Sequence, residues 1–211
     1  MPSQTPGKKE RPPEGQDGRA RIIREAARLF REKGFGRTTV RELAAATGMQ
    51  SGSLFYFFAS KEEILLAVIH HGMELLHTAV AEARQEASPV DGFRAMLQRH
   101  LEGILDRGAD HTFVMLFETR SFPATTAEQV RQFRRGYDAL WEAQIQDLIR
   151  AGRWRLPGEA RLSRMALMGA LNWSVQWFRP SRGDTYEGVA GFLCDMFLVP
   201  EGAGQPLVVQ E

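Results

Sequence analysis

Residues 40–60, VRELAAATGMQSGSLFYFFAS, leave this chain few architectures. Leu43, Met49 and Leu54 are apolar where two short helices would bury them, and Ala44 is small where those helices would cross. Gly48 supplies the tight turn between them. Thr39 and Glu42 stand three residues apart, the capping-box pattern that opens the first helix. A helix-turn-helix of this kind lays its second helix in the major groove of DNA while the first crosses the phosphate backbone. On the pattern alone, an ordinary helical hairpin remains the alternative.

The flanking sequence is also punctuated as helices. Ile22, Ile23, Ala26, Ala27, Leu29 and Phe30 recur at three- and four-residue spacing, and Gly34 stops that helix. Arg21, Arg24, Arg28 and Arg31 populate its other side, either as a solvated face or to steer DNA from a distance. A short helix over 51–57 follows the Gly48 turn. Ser60 and Glu63 open a fourth helix reaching about residue 87, and Ser88-Pro89-Val90-Asp91 opens a fifth to about 107. A short aromatic segment at 111–119 ends at Pro123, and Thr125 with Glu128 caps a long helix that Gly152 closes. A helix runs from after Pro157-Gly158 to about Phe178, and Asp184 or Thr185 caps the last one through Leu198. No alternating strand pattern occurs, so the spacing predicts an all-α fold of about nine helices. Residues 1–17 and 199–211 are expected to be flexible tails, 18–65 the helix-turn-helix domain, and 66–198 a second helical domain.

Charge follows the same division. The net charge of the 211 residues is only +1, but residues 18–65 carry nine basic side chains against five acidic ones, and 66–211 carry fifteen against eighteen. A basic first part suits a polyanion and a mildly acidic remainder does not. No unbroken apolar run approaches the roughly 18 residues of a membrane helix, and the start has no apolar stretch, so a soluble cytoplasmic protein is expected. The single cysteine, Cys194, excludes an internal disulfide and a thiolate metal cluster.

From Ile22 to Ile69 the chain closely resembles the N-terminal domain of TetR-family transcriptional regulators. The shared features are a first helix ending in Lys-Gly-Phe, a Thr-Val-Arg helix start, an aromatic recognition helix and a closing Ser-Lys-Glu. The resemblance implies that Thr39 caps the second helix and brings its hydroxyl and amide to a phosphate, and that Arg41 reaches phosphate or a guanine edge. It implies that Gln50, Ser51, Gly52 and Ser53 let the backbone approach DNA, that Phe55 and Tyr56 touch backbone and thymine methyl, and that Lys61 holds a phosphate. Two departures stand out. Phe55 lacks the hydroxyl of the usual tyrosine, and Ser51 replaces a frequent lysine, which together point to modest backbone affinity. Phe58 matches a core position, and Phe57 reads as packing.

The resemblance also implies a C-terminal domain for ligand binding and dimerisation. Met165 to Phe178, MALMGALNWSVQWF, carries no charge and is apolar all round, so this helix needs cover on every side. Ala166, Gly169 and Ala170, with Gly188 and Gly191 on the last helix, would permit close approach of a second copy; a central helix of a monomeric bundle is the alternative. Phe113, Phe117, Phe133, Tyr137 and Trp141 recur at four-residue spacing and either line a cavity or fill the core. Asn172, Trp173 and Trp177 resemble a short pattern in TetR-family regulators of acyl-CoA and lipid metabolism. Arg131, Arg134 and Arg135 either meet an anionic ligand or form a solvated face. His70, His71, His77, His100 and His111 lack ligand spacing, and no phosphate loop or nucleophile elbow is present, so neither metal, cofactor nor catalysis is expected. The expectation is a homodimeric repressor, joined through its last two helices, that a hydrophobic small-molecule effector, acyl-CoA or lipid-like, releases from a palindromic double-stranded DNA operator. An activator, or a regulator acting through a protein partner, are the alternatives; an enzyme carrying a helix-turn-helix ranks last.

Overall fold

The computed structural model describes residues 15–106, 109–117 and 124–201, and every regular element among them is helical. In order these are α1 (Gly15–Lys33), α2 (Val40–Thr47), α3 (Ser51–Phe57), α4 (Lys61–Ala83), α5 (Pro89–Leu105), α6 (Asp110–Phe117), α7 (Ala124–Arg150), α8 (Ala160–Trp177) and α9 (Tyr186–Phe197). A 3₁₀ turn at Pro180–Arg182 precedes α9. The all-α expectation holds, with nine α-helices among the described residues. Residues 1–14, 202–211, Pro123 and the side chain of Thr125 lie outside the described part. Two ends differ from expectation. α1 already begins at Gly15, with Asp17 in its first turn where the helix dipole favours a carboxylate, and α4 stops at Ala83.

The chain divides into two compact units, Met1–Val68 and Ile69–Glu211, so the division falls inside α4, three residues beyond the expected boundary at 65. In the first unit Ile22, Ala26, Phe30, Leu43, Leu54, Phe58 and Leu65 form the core. α1 stops because Gly34 takes φ 83°, its N–H donating to Phe30 O at 2.8 Å. α2 stops the same way at Gly48, φ 66°, where the Met49 N–H then reaches Ala44 O at 2.9 Å. A Cβ at Gly48 would meet nothing within 4 Å, so the backbone angle alone demands glycine. Met49, expected in the core, is only half-buried. Ser60 caps α4 by accepting from the Glu63 N–H at 3.1 Å, but the Glu63 carboxylate bonds the Ala59 N–H at 2.6 Å, one residue outside the usual box.

In the second unit α5 supplies much of the centre, with Phe93, Met96, Leu97 and Leu101 fully buried. Truncating Phe93 to alanine there would cost about 3–5 kcal/mol. Thr185, not Asp184, caps α9, its hydroxyl accepting from the Gly188 N–H at 3.0 Å. The Trp154 ring stacks on Phe197 at 5.5 Å, and its Nε1 donates to Ser163 Oγ at 3.1 Å. α4 corrects one expectation: it is long and apolar enough, with a mean hydropathy of 1.4, to cross a membrane on length and composition. His70, His71, Glu74 and His77 interrupt its apolar run, and half of the apolar window is buried inside the protein, as in a core helix.

Candidate nucleic-acid interface and effector cavity

α3 has one reason to fold and none of its own for its outer face. Leu54 is buried beneath it and Phe58 anchors its end, with the Arg19 guanidinium 4.8 Å above the Phe58 ring. On the opposite side Tyr56 is 85% exposed and Phe55 54% exposed. Gln50 and Gly52 are exposed beside them, and Ser51 and Ser53 are half-buried. A Cβ at Gly52 would meet nothing within 4 Å, so the first turn of α3 presents bare backbone to open space. Phe57 is half-buried with its ring edge-on to Tyr56 at 5.3 Å, in keeping with packing. No residue of α3 is charged.

The charges around α3 divide into free and engaged ones. Arg41 is exposed at the start of α2 and makes no ion pair among the described residues. Thr39 does cap α2, but both groups expected to meet a phosphate are taken by one carboxylate: the Thr39 N–H and Oγ1 donate to Glu42 Oε2 at 2.8 and 2.9 Å. Lys33 Nζ donates to the same carboxylate at 2.6 Å, and with Thr39 it holds the Glu42 carboxyl down at about 2. Lys61 also departs from expectation. Its Nζ donates to Phe35 O and Thr38 O, both at 3.0 Å, and lies 4.3 Å over the Phe35 ring. It ties down the turn that presents Thr39 with two of its three N–H donors and keeps its charge. Arg28 is paired with Glu25 and Glu32, so the solvated-face reading applies to it.

The aromatic residues expected either to line a cavity or to fill the core do not share one pocket. Trp141 is fully buried against Phe93 and is core. Phe113 and Phe117 pack on each other, and Trp173 and Trp177 are on the outside of α8. Phe133 covers His70 edge-on beside a small cleft with Met73 and His77. Tyr137 and Asn172 do meet, through His100, whose spacing carries no ligand pattern. His100 is buried on α5 with Nδ1 2.5 Å from the Tyr137 hydroxyl and Nε2 3.1 Å from Asn172 Oδ1. Because Asn172 Oδ1 accepts only, Nε2 carries the proton and Nδ1 accepts from Tyr137. Burial pushes His100 down to about 4 and Tyr137 upward, so both are neutral near pH 7. The signal was present: His100 interrupts the apolar stripe Phe93, Met96, Leu97, Leu101 and Ile104.

This triad borders a cavity of about 150 Å³, with Met73, Met115, Leu116 and Met168 as apolar wall and Arg134, Asp138 and Arg164 at its edge. Arg164 is committed to Asp138 and Glu142 at 2.9 and 2.8 Å. Burial raises the Asp138 carboxyl while Arg164 pulls it back. Leu76 separates this cavity from a larger open groove of about 790 Å³ between α4, α5 and α6, rimmed by Glu82, Glu86, Glu102 and Asp106.

Outer α8 and α9 carry a second apolar surface. Leu162, Met165, Trp173 and Trp177 on α8, with Phe192 and Met196 on α9, are all exposed. Ala166 and Gly169 are exposed within this stripe, while Ala170 and Gly191 are half-buried. A Cβ at Gly169 or Gly191 would meet nothing within 4 Å, whereas at Gly188 it would come within 3.1 Å of Thr185 Oγ1. Cys194 is buried, its thiol pushed up to about 11 by burial, and is packed. Among the described residues no group of three His, Cys, Asp or Glu side chains is arranged to hold a metal.

Comparison with known proteins agrees with this division. The family model for bacterial regulatory proteins of the tetR family matches residues 22–68, and that for the tetracyclin repressor-like C-terminal domain matches residues 86–199. The HTH-type transcriptional repressor KstR2 of Rhodococcus jostii is 27% identical, over 83% of this chain and 87% of its own. Among solved structures, superantigen PfiT superposes with a TM-score of 0.78 at 33% identity, covering 88% of this chain and 98% of that one. AibR in complex with isovaleryl coenzyme A and operator DNA has a TM-score of 0.78 at 23% identity, covering 86% and 98%.

Proposed function

The chain belongs to the TetR family of bacterial regulatory proteins, and from that premise we propose that it is a homodimeric repressor whose hold on a palindromic DNA operator is released by a small molecule bound in its second unit. It is a DNA-binding transcriptional regulator, of a family that acts by binding and not by catalysis. The observation that carries the reading is the outer face of α3. Phe55 and Tyr56 stand in water around a glycine with open space before it, an arrangement that a major groove fills and the unit itself does not.

Dimerisation is supported by the α8–α9 surface. Leu162, Met165, Ala166, Gly169, Trp173 and Trp177 fall at three- and four-residue steps on one side of α8, and Phe192 and Met196 are one turn apart on α9. A two-fold axis through that surface pairs each apolar stripe with its own copy and presents two α3 helices to the two halves of a palindrome. α4 is one continuous helix that belongs to both units. A ligand that alters its packing in the second unit therefore acts on the helix whose first residue, Lys61, holds the Thr39 turn, which gives negative coupling between effector and DNA. The isovaleryl coenzyme A bound by AibR makes an acyl thioester one effector class to test.

The test is fluorescence anisotropy with DNA from the chain's own upstream region. Binding at low salt is expected, weakened roughly 5- to 150-fold by Arg41→Ala or Tyr56→Ala. Absence of binding at low salt by the unaltered protein refutes the reading.

A further inference from the structure

The small cavity behind α4 offers an asymmetric set of polar groups. Within the His100 triad each group is committed: Tyr137 donates to His100, and His100 donates to Asn172 Oδ1. At the edge Arg164 is shared between Asp138 and Glu142. Two groups are left over, and both are donors. Arg134 lines the cavity half-buried and makes no hydrogen bond or ion pair among the described residues, with only the field of Asp138 nearby. The Asn172 amide nitrogen is not consumed by the triad, which uses the oxygen. The apolar wall is largely methionine, which adapts to irregular shapes. A volume of about 150 Å³ is that of a cavity that takes up one benzene ring.

We propose that this cavity is the head-group site of the effector, and that it selects a small carboxylate or acyl carbonyl on a body no larger than a single ring or short branched chain. The proposal rests on the reading of the second unit as the effector domain. Arg134 and the Asn172 amide grip the oxygen atoms, Met73, Met115, Leu116 and Met168 enclose the body, and neutral His100 holds Tyr137 and Asn172 in place. A cationic head finds only donors in Arg134 and the Asn172 amide, and the Asp138 carboxylate is already held by Arg164, so it is disfavoured. The groove that shares Leu76 with this cavity carries four carboxylates against one arginine, Arg99, itself paired with Glu102, so an anionic ligand is disfavoured there.

The experiment uses three probes with one ring and different heads, benzoate, benzyl alcohol and benzylamine, with stearate as a size control, in thermal denaturation of the full chain. Benzoate has few enough atoms that a millimolar Kd is expected, so about 10 mM should raise Tm by about 3 °C. Benzyl alcohol should raise it less, and benzylamine and stearate not at all. Arg134→Gln should abolish the advantage of benzoate over benzyl alcohol while leaving the shift from the alcohol intact, a readout that a merely destabilised variant would not produce. Benzylamine or stearate outperforming benzoate, an advantage that survives Arg134→Gln, or no shift with any ring probe each overturns the proposal. DNA binding measured without ligand reports separately on the regulator reading.

Discussion

Acid should destabilise this protein through a single buried imidazole. His100 is held at about 4 in the folded state by burial, against 6.5 for an ordinary histidine. Above pH 6.5 the ring is neutral whether the chain is folded or not, and contributes no pH dependence. Below that, the unfolded chain takes up a proton that the folded site refuses until about pH 4. The His100 contribution to stability therefore falls with pH across this window and levels off beneath it. The loss attributable to His100 is about 2 kcal/mol at pH 5 and about 3 kcal/mol at completion, a large part of a total stability of about 5–15 kcal/mol. Urea denaturation followed by tryptophan fluorescence at about pH 7.5 and about pH 5 measures it, comparing the natural chain with His100→Gln. The variant keeps a neutral polar group, so it should be weaker at the higher pH by about 1–3 kcal/mol because Tyr137 loses its acceptor. Between the two pH values, however, it should lose about 2 kcal/mol less than the natural chain. Groups distant from position 100 contribute equally in the two proteins and cancel in the difference. Equal losses in the two proteins would refute the argument.

Three further outcomes follow from the geometry. Gly52→Ala should raise stability by about 0.5–1 kcal/mol by improving α3, since a Cβ there meets nothing within 4 Å, yet weaken DNA binding in anisotropy; tighter binding would remove Gly52 from the interface. Trp173→Glu, placing a charge in the exposed α8 stripe, should cost about 2–4 kcal/mol of association and give monomers in sedimentation; an unchanged dimer would move the interface elsewhere. Lys61→Gln should destabilise by about 1–3 kcal/mol as Phe35 O and Thr38 O lose their charged donor, with little change in the salt dependence of DNA binding; a slope shallower by about one would restore a phosphate contact.

The parts of this fold that were legible in the sequence are those whose cause is local. Gly34, Gly48 and the Thr39–Glu42 box act through backbone angles and bonds three residues apart, and each stands where its pattern placed it. Residue roles that depend on a partner chosen in three dimensions were not legible. Nothing near Lys61 in sequence announces that Phe35 and Thr38, more than twenty residues earlier, offer it two carbonyls. Trp173 and Trp177 show why periodicity sorted the aromatics of α8 poorly. Where a helix is apolar on every side, spacing does not distinguish its inner face from its outer one. Trp173 is 65% and Trp177 45% exposed. The inner cavity escaped for the opposite reason, since its informative residue is a polar one among apolar neighbours.

Net charge overstates how electrostatic DNA binding should be. Of the nine basic residues in 18–65, Lys33 is ion-paired with Glu42 and Arg28 with Glu25 and Glu32, while Lys61 and Arg37 keep their charge but are held in place by main-chain carbonyls, Arg37 by Lys33 O at 2.6 Å. Arg19, Arg24 and Arg41 are exposed and make no ion pair among the described residues; Arg19 lies over the Phe58 ring, which leaves Arg24 and Arg41 without any such contact. Each phosphate neutralised contributes about −0.9 to the slope of log K against log salt. A dimer using two such arginines per protomer should therefore show a slope of about −4, and one using every basic residue about −16. Anisotropy titrations at four or more salt concentrations, on the same DNA, read this slope directly. A value steeper than about −8 would mean that the internal pairs open on DNA, and that attraction rather than the uncharged face of α3 dominates the encounter. A value near −4 leaves site choice to Gln50, Ser51, Ser53, Phe55 and Tyr56, whose contacts are short-range and insensitive to salt, so that mismatched operators should lose affinity by similar factors at low and high salt.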